Sequence, residues 1–326
     1  MATVYTIGEA LIDFIPVQKG VELKAVDGFT KAAGGAPANV ACAVARLGGT
    51  AAFIGKLGRD AFGDYLVETM ADIGVDTSRV LRTAEANTAL AFVSLKEDGN
   101  RDFSFYRNPS ADMLLREDEI DGEWFSPGDV LHFCSVDLIE APVKYAHRKA
   151  IELARSAGAV VSFDPNVRLP LWPDREACRR TILEFLPLSR LVKISDEELA
   201  FITGIEDEAA AIAALFVGDV EHVVYTRGAA GATWFARSGF DVSVPGHRVD
   251  TVDTTGAGDA FVGSLLAQLA DEPGGSAGGK GALDGMTRET AERMLRFANA
   301  AAAITTTRRG AITSLPERAE VEAFSG

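Results

Sequence analysis

The sequence predicts an α/β protein: a central, mostly parallel sheet flanked by helices on both faces, with a small antiparallel sheet beside it. The first observation is a series of short apolar runs, such as residues 191–194, that alternate with helical stretches and are typical of buried parallel strands. The second is the clean alternation of residues 89–95 and 101–106 around the turn-forming segment 97–100, which indicates a hairpin. With 326 residues, 47% of them hydrophobic, the chain can build one large domain.

The N-terminal part of the chain contributes to both sheets. Residues 4–7 and 11–15 are apolar and are predicted to be strand, with an interruption between them. Segment 17–29 is polar, mixed and β-like, and it cannot easily join a parallel sheet. We therefore assign it, together with the hairpin, to the small antiparallel sheet, which then takes in about 16–33 and 88–110.

The alternating helices and strands follow in order. A helix is predicted to begin at Pro37 and to end at Leu47, because Val40, Val44 and Leu47 lie on one stripe. Beyond it, the apolar runs are predicted strands and the stretches after them are predicted helices. The strands are 51–55, 130–133, 159–163, 191–194 and 222–225, and the helices begin at Asp60, Ala141, Asp174 and Ser195.

Ligands of such sheets gather at the carboxyl ends of the strands, where segments 164–168 and 195–198 are expected. Segment 271–287 is rich in glycine and is predicted to be a flexible surface loop. Residues 274–280 match the spacing of a phosphate-binding P-loop. That interpretation is rejected, because Gly281 stands where Ser or Thr is needed and a helix precedes the segment.

Charge and cysteine content exclude several classes of protein. A net charge of −15 argues against nucleic acid and against an anionic membrane surface as partners. The cysteines, Cys42, Cys134 and Cys178, are scattered and odd in number, as expected in a reducing compartment. The sequence shows neither a signal peptide nor an apolar run of 18 residues, so we predict a cytoplasmic protein without a membrane partner.

The strongest signal for chemistry is a tight turn that leads into an apolar helix. The N–H groups of Gly256, Ala257 and Gly258 would form an anion hole there, because unpaired N–H groups and the helix dipole stabilise a phosphate. Asp259 at this position would repel a bound phosphate, unless it takes a proton from the group that attacks the phosphorus. We predict that it is the catalytic base; the alternative is a helix-capping carboxylate.

A second candidate site combines an isolated carboxylate with a glycine pair. Asp13 stands alone in an apolar strand, where a carboxylate is costly without partners such as sugar hydroxyls. Gly34 and Gly35 would let the backbone approach a ligand closely, and Asn39 offers both a donor and an acceptor. The alternatives are local backbone partners for Asp13, an ordinary turn at the glycines and a surface position for Asn39.

These motifs carry a resemblance to a known family. Segment 253–261, Asp-Thr-Thr-Gly-Ala-Gly-Asp-Ala-Phe, resembles the C-terminal signature of the PfkB (ribokinase-like) carbohydrate kinases. Segment 34–49 is similar to their N-terminal signature, and the two occur in the expected order. The resemblance implies a single ribokinase-like kinase domain over 1–326, ATP as phosphate donor, and a role for the small sheet as a lid that excludes water.

The same resemblance suggests the substrate. Segments 103–115 and 164–173 are similar to those of fructokinases, which implies D-fructose phosphorylated at its 6-hydroxyl. A 2-keto-3-deoxygluconate kinase is the alternative, because Arg107 or Arg168 could bind a sugar carboxylate; Arg168 could equally reach phosphate. A non-catalytic sugar-binding regulator is disfavoured because Asp259 and the glycine turn are present. The implied substrate-binding residues are Asp13, Gly34, Gly35, Asn39, Arg107, Asn108, Arg168 and Asp259.

The resemblance also implies nucleotide and Mg²⁺ sites. Family members carry Asn-x-x-Glu, and here Ser195 replaces the Asn while Glu198 matches, so Glu198 is predicted to position Mg²⁺ through water. Plain solvation of this Glu is the alternative. Arg227 replaces an apolar residue in a Thr-x-Gly turn, which an ordinary β-turn also explains. The implied nucleotide-binding residues are Lys193, Ser195, Thr226, Gly228, Gly256, Gly258 and Asn299.

A monovalent cation and a dimer complete the expectations. Segment 308–314 is similar to a family segment that encloses such a cation, which suggests K⁺, although basic residues at a helix C-terminus have an ordinary dipole explanation. Family members often dimerise through the lid; Phe92, Phe103 and Phe105 could form the interface or be buried internally. The implied metal-site residues are Glu198 for Mg²⁺ and Asp253, Thr255, Thr305, Arg308, Gly310 and Ser314 for the cation.

Overall fold

The computed structural model describes residues 2–18, 20–95, 101–272 and 283–325. The strands of this part of the chain are β1 (Thr3–Ile7), β2 (Leu11–Pro16), β3 (Phe29–Gly34), β4 (Thr50–Gly58), β5 (Val80–Thr83), β6 (Leu90–Leu95), β7 (Arg101–Tyr106), β8 (Val130–Cys134), β9 (Val160–Asp164), β10 (Leu191–Ser195), β11 (His222–Thr226), β12 (Ala232–Ala236) and β13 (Asp241–Val244). The helices are α1 (Ala36–Arg46), α2 (Ala61–Ile73), α3 (Pro142–Ser156), α4 (Arg175–Phe185), α5 (Asp196–Thr203), α6 (Glu208–Ala214), α7 (Ala257–Asp271), α8 (Arg288–Thr306) and α9 (Arg318–Ser325).

The main sheet has the strand order β13-β12-β11-β10-β9-β8-β1-β4-β5. From β5 to β11 every neighbouring pair is parallel, and only β12 and β13 run antiparallel at one edge. The parallel strands are buried apolar runs because helices cover both faces. The predicted α/β class and mostly parallel sheet are therefore confirmed.

Two apolar layers hold the helices against this sheet. One layer packs α1, α2, α7 and α8 on one face, and the other packs α3 to α6 on the opposite face. Residues at the helix N-termini explain where several helices begin. The Asp60 carboxylate accepts the N–H of Phe62 and of Gly63 at the start of α2, and that of Asp174 accepts the N–H of Ala177 in α4.

The second sheet, which is the predicted lid, has four strands in the order β3-β2-β6-β7. Its two outer pairs are antiparallel, as expected, whereas the central pair of β2 and β6 is parallel. The lid begins earlier than predicted, because β2 pairs here and not in the main sheet. The β-like interpretation of 17–29 is wrong as far as residue 28. The described part of 17–28 is a loop with one short 3-10 helix, Leu23–Ala25, and the Val17 N–H donates to the Gly28 carbonyl at 3.0 Å.

Aromatic side chains fill the lid face that turns toward α2. The rings of Phe14 and Phe92 stack with centroids 4.8 Å apart, and Phe14 meets Phe62 of α2 edge-on at 5.7 Å. Phe105 lies on the other face, since neighbouring strand positions alternate. The predicted turn 97–100, residues 273–282 of the predicted surface loop and the side chain of Phe103 lie outside the described residues. Within the described ranges, no helix is both long and apolar enough to cross a membrane.

Candidate active site

A cavity of about 700 Å³ opens at the carboxyl ends of the parallel strands, between the lid and the N-terminus of α7. Such an edge is where α/β sheets bind ligands. Predicted site residues from both halves of the chain line this cavity together. They are Asp13, Gly35, Asn39, Arg168, Lys193, Ser195, Glu198, Thr255, Gly256, Gly258 and Asp259.

Asp259 lies in the first turn of α7, at the mouth of the helix. Gly256 precedes the helix with φ of 78°, a left-handed conformation that a glycine adopts without strain. The Asp259 side chain is buried, and its Oδ2 accepts a hydrogen bond from Asn39 Nδ2 at 2.7 Å. Burial raises the pKa of Asp259, and the Asn39 bond and the positive charges of Arg168 and Lys193 partly offset this shift. The carboxylate is thus held in one orientation by a donor on α1.

The turn that begins α1 approaches the first strands very closely. Gly35 has φ of 102°, and a Cβ added to it would lie 2.5 Å from the carbonyl oxygen of Glu9. A Cβ at Gly34 would lie 2.3 Å from Asp13 Oδ2, so the Asp13 carboxylate rests against the backbone there. Gly35 is therefore required sterically, and a side chain at position 34 would displace the Asp13 carboxylate. The two glycines bring Asp13 and Asn39 to the same end of the cavity.

A buried ion pair lies beneath the middle of the cavity. Lys193 Nζ donates to Asp164 Oδ2 at 3.1 Å, and a Cβ on Gly258 would lie 3.8 Å from the same Nζ. Burial raises the pKa of Asp164 to about 6, although the positive charge of Lys193 opposes this shift. The pKa of Lys193 is raised because the charges of Asp164 and Glu198 outweigh its own desolvation. A cation is thus fixed beside the turn that is predicted to bind anions.

Glu198 is held by three donors. Its Oε2 accepts the Ser195 N–H at 3.0 Å and the Ser195 hydroxyl at 2.8 Å, and its Oε1 accepts the Val167 N–H at 2.8 Å. Burial opposes ionisation, but Lys193 and these N–H groups outweigh it, and the pKa of Glu198 is lowered. Glu198 is therefore a buried, ionised carboxylate that caps α5, and plain solvation does not describe it.

The two predicted arginines occupy different environments. Arg168 is exposed at the cavity, where its guanidinium donates to the Val167 carbonyl at 3.0 Å. Arg107 is buried at the end of β7, and its guanidinium bonds to the carboxylates of Asp112 and Asp137. The Arg107–Asp112 pair foreseen as an alternative is present, but it is buried and not solvated. Neither Arg107 nor the exposed Asn108 lines the cavity, and their contact with sugar stays a prediction.

The predicted nucleotide residues lie further along the same sheet edge. Thr226 ends β11, next to Ser195 at the end of β10, and its hydroxyl donates to the Ile194 carbonyl at 3.4 Å. Gly228 follows with φ of 49°. Asn299 of α8 is buried, and its amide donates to the Val244 carbonyl at 3.2 Å. Asn299 thereby fixes the segment after β13.

Arg227, which replaces an apolar residue in the Thr-x-Gly turn, has specific contacts in the structure. Its guanidinium donates to the Thr233 hydroxyl at 3.1 Å and lies 5.5 Å from the ring centroid of Tyr225. The Tyr225 hydroxyl in turn donates to Glu208 at 2.9 Å. The arginine therefore connects the turn to β12 and stacks on an aromatic ring.

The predicted monovalent-cation residues form one neighbourhood behind α7. Asp253 Oδ2 accepts the N–H of Gly310 at 3.2 Å, and its Oδ1 accepts the N–H and hydroxyl of Thr255. The Ser314 hydroxyl donates to the Gly310 carbonyl at 2.6 Å, and that of Thr305 donates to Ala301. Arg308 pairs with Glu320 through its side chain. In the described part of the chain, no three His, Cys, Asp or Glu side chains cluster as metal ligands.

Among the polar residues that line the cavity, Glu9, Asp164 and Asn166 were given no individual role by the sequence analysis, although it placed segment 164–168 at this edge of the sheet. Glu9 follows β1, and Asp164 ends β9, so both stand at carboxyl ends of parallel strands. For Glu9, that position was the signal that could have found it. Asn166 has φ of 43°, a left-handed conformation that Asn tolerates better than most residues.

The chain also resembles known proteins over nearly its whole length. Residues 1–318 match the family model described as pfkB family carbohydrate kinase. The chain is 46% identical to probable fructokinase-4 of Arabidopsis thaliana over 98% of this chain and 96% of that protein. A crystal structure of fructokinase with bound ATP from Xylella fastidiosa has a TM-score of 0.87 and 39% identity, over 99% of this chain and 97% of that one. A crystal structure of a fructokinase double mutant from Vibrio cholerae O395, in fructose, ADP and potassium ion bound form, has a TM-score of 0.87 and 36% identity. This match covers 100% of this chain and 99% of that one.

Proposed function

The chain belongs to the pfkB family of carbohydrate kinases, and on that premise we propose that it is a fructokinase, which transfers the γ-phosphate of ATP to the 6-hydroxyl of D-fructose. It is a phosphotransferase that acts on a sugar hydroxyl. Similarity to fructokinases over the whole length supports fructose as the acceptor. The observation that carries the chemistry is Asp259, a buried carboxylate at the N-terminus of α7 that lines the same cavity as Asp13 and Gly35.

The reaction needs a proton acceptor, in-line geometry and charge stabilisation. We assign Asp259 as the base that takes the proton of the 6-hydroxyl as the oxygen attacks the γ-phosphorus. Its raised pKa makes it a better proton acceptor than an ordinary carboxylate. The N–H groups of Gly256, Ala257 and Gly258 would stabilise the negative charge that develops on the phosphoryl oxygens. Lys193 stands 3.8 Å from the Cβ position of Gly258 and supplies a positive charge to the same place.

The sugar is assigned to the end of the cavity beneath the lid. The carboxylate of Asp13 and the amide of Asn39 line this end and can bind hydroxyl groups, and Gly35 lets the start of α1 approach Glu9 closely. Phe105 of the lid lines the same cavity, so the lid limits the access of water to the reacting hydroxyl. Arg168, exposed at the rim, would contact the transferred phosphoryl group.

The nucleotide is assigned to the edge formed by the ends of β10 and β11. Its phosphates would approach the anion-binding turn, and its ribose and base would lie toward α8. Ser195, Thr226 and Gly228 supply polar backbone and side-chain groups along this edge. Asn299, which holds the segment after β13 in place, would shape the site for the base.

The residues present suit Mg²⁺ and a monovalent cation. The carboxylates of Asp164, Glu198 and Asp259 line the cavity, and Mg²⁺ prefers oxygen ligands and keeps several waters. Glu198 would hold Mg²⁺ through water, and the bound ion would supply positive charge beside the phosphates. Asp253, with the backbone around Gly310, would hold K⁺, the cation present in a fructokinase structure of the same fold.

An alternative acceptor is 2-keto-3-deoxygluconate, because the exposed guanidinium of Arg168 at the cavity could bind its carboxylate. A coupled assay of ADP release across fructose, 2-keto-3-deoxygluconate, ribose and adenosine decides between these acceptors. We expect fructose to give the highest kcat/KM. A higher kcat/KM for the keto acid would overturn the fructokinase assignment, and absence of ADP release with every sugar would support a non-catalytic regulator.

We further propose a homodimer that forms through the lid. Tyr106 is 64% exposed, and its ring lies 5.1 Å from that of Phe92, so an apolar patch reaches the lid surface. Light scattering after size-exclusion chromatography should give the mass of two chains, and Tyr106→Glu should give one. A wild-type monomer at every concentration would contradict the dimer. A cytoplasmic location is likewise proposed, because Cys42, Cys134 and Cys178 are all free and buried.

A further inference from the structure

A buried carboxyl group without an assigned role lies behind the sugar end of the cavity. Glu9 follows β1 and is only 3% exposed, although it lines the cavity. Its Oε1 accepts the N–H of Ala36, the first residue of α1, at 3.0 Å. Its Oε2 has no hydrogen-bond partner among the described residues. A buried, half-satisfied carboxyl group costs stability, so its presence calls for an explanation.

Glu9 contacts the start of α1 in two ways. Its side chain binds the Ala36 N–H, and its carbonyl oxygen packs where any Cβ on Gly35 would intrude. Asn39 lies one turn further along the helix, with its N–H bonded to the Gly35 carbonyl at 2.8 Å. Asn39 in turn donates to Asp259. A continuous series of contacts therefore runs from Glu9 through the first turn of α1 to the catalytic carboxylate.

Burial and the charges around Glu9 shift the balance between the ionised and neutral forms of its side chain. Burial raises the pKa of Glu9 well above its ordinary value, and the neighbouring Asp137 raises it further. The guanidinium of Arg107, shared with Asp112 and Asp137, only partly opposes this shift. Glu9 therefore favours the neutral acid. A neutral carboxyl group still accepts the Ala36 N–H through its carbonyl oxygen.

We propose that Glu9 is a positioning residue: by accepting the N–H of Ala36 and packing under Gly35, it holds the first turn of α1 where Asn39 can orient Asp259. The kinetic consequences rest on the proposed function, but the structural consequence does not. What Glu9 must supply is an acceptor oxygen of the right reach, and a negative charge is not required.

The kinetic test compares Glu9→Ala, Glu9→Gln and a matched control. Glu9→Ala should lower kcat/KM for fructose about 10–100-fold, because the α1 turn loses its anchor, and leave the KM for ATP within about twofold. Glu9→Gln keeps an acceptor and should recover most of the loss. The control is Asp129→Ala, which removes a buried carboxylate bonded to the Thr3 N–H at the opposite end of β1 and should leave kcat/KM unchanged.

A double-mutant cycle separates positioning from general damage. If Glu9 acts through Asn39, adding Glu9→Ala to Asn39→Ala should cost less than about twofold in kcat/KM. If the losses in kcat/KM caused by Glu9→Ala and Asn39→Ala multiplied in the double variant, the proposal would be overturned. The same holds if Glu9→Gln lost as much kcat/KM as Glu9→Ala.

Hydrogen exchange provides a readout that needs no substrate. In the unliganded protein, Glu9→Ala should speed exchange of the Ala36 amide and of the first turn of α1, whereas Asp129→Ala should not. Unchanged exchange at Ala36 would overturn the role of Glu9 even if the enzyme phosphorylates fructose. Faster exchange in a protein that does not phosphorylate fructose would overturn the fructokinase assignment and leave the role of Glu9 supported.

Discussion

Asn39 Nδ2 donates a hydrogen bond of 2.7 Å to Asp259 Oδ2, which joins α1 to α7 across 220 positions of sequence. Each residue lies near the start of a helix that follows a glycine turn, one at the end of the cavity assigned to the sugar and one at the end assigned to the phosphates. The bond connects the starts of the two helices, so the proposed binding of the sugar and the orientation of the proposed base would be coupled.

The first prediction follows from that bond. Asp259 must be ionised to accept a proton, so kcat/KM should fall as the pH drops through its pKa. In Asn39→Ala the Asp259 carboxylate loses a hydrogen-bond donor that lowers its pKa. Because this donor no longer offsets the effect of burial, the pKa of Asp259 should rise further. The acidic limb of the kcat/KM profile should therefore move to higher pH, and activity at pH 6 should fall more than activity at pH 8.

Ser264→Ala is the matched control for this prediction. Ser264 lies in the same helix, and its hydroxyl donates to the Ala260 carbonyl at 2.7 Å. The acidic limb of the kcat/KM profile of Ser264→Ala should coincide with that of the wild type. If the limb of Asn39→Ala also coincides with the wild type, the bond has no influence on the base.

A second prediction concerns stability and Asp164. Its pKa of about 6 lies above the ordinary 3.8, so the folded protein holds this proton more tightly than the unfolded chain. The associated stability is complete below pH 3.8 and is lost as the pH rises through 6. Asp164→Asn lacks this titration. The difference in free energy of unfolding between Asp164→Asn and the wild type should therefore shift by about 1–3 kcal/mol in favour of the variant as the pH rises from 4 to 7.

Urea unfolding at pH 4, 5, 6 and 7 measures this difference. Asp72→Asn, a substitution at an exposed position of α2, is the control, and its curve should run parallel to that of the wild type. Parallel curves for Asp164→Asn as well would show that the buried carboxyl group does not titrate in this range.

A third prediction concerns the monovalent cation. Asp253→Ala removes the acceptor for the Gly310 N–H and the partner of Thr255, so the proposed K⁺ site should be lost. Wild-type activity should fall several-fold when K⁺ is replaced by tetramethylammonium, and the variant should be equally slow in both salts. Asp250→Ala, exposed three residues earlier, should keep the response to K⁺. If Asp253→Ala kept its response to K⁺, the cation would have to bind elsewhere.

The buried strands were predictable from the sequence to within a few residues. Residues 191–194 were predicted and β10 is Leu191–Ser195, because a parallel strand covered on both faces is a continuous apolar run with polar ends. The location of β2 was not predictable in this way. An apolar run looks the same in either sheet, and only the paired register shows that Leu11–Pro16 belongs to the lid. The hairpin of β12 and β13 was overlooked, although Ser238 and Gly239 form a recognisable turn signal.

The site likewise contains residues that were predictable from the sequence and residues that were not. Asn39 and Asp259 could be singled out because each follows a glycine turn that has little other purpose. The environment of Arg107 could not be foreseen, since Asp137 lies 30 residues away and only the fold brings its carboxylate to the guanidinium. The anchoring role proposed for Glu9 depends equally on the approach of Ala36, 27 residues later.

Asp259→Asn tests the central claim most directly, because the amide keeps the size of the side chain but cannot accept the proton. ADP release should be measured at saturating fructose and ATP, with fructose binding measured separately by calorimetry. We predict that kcat falls about 10²–10⁴-fold while fructose still binds. A variant that turns over at the wild-type rate would contradict the assignment of Asp259 as the base.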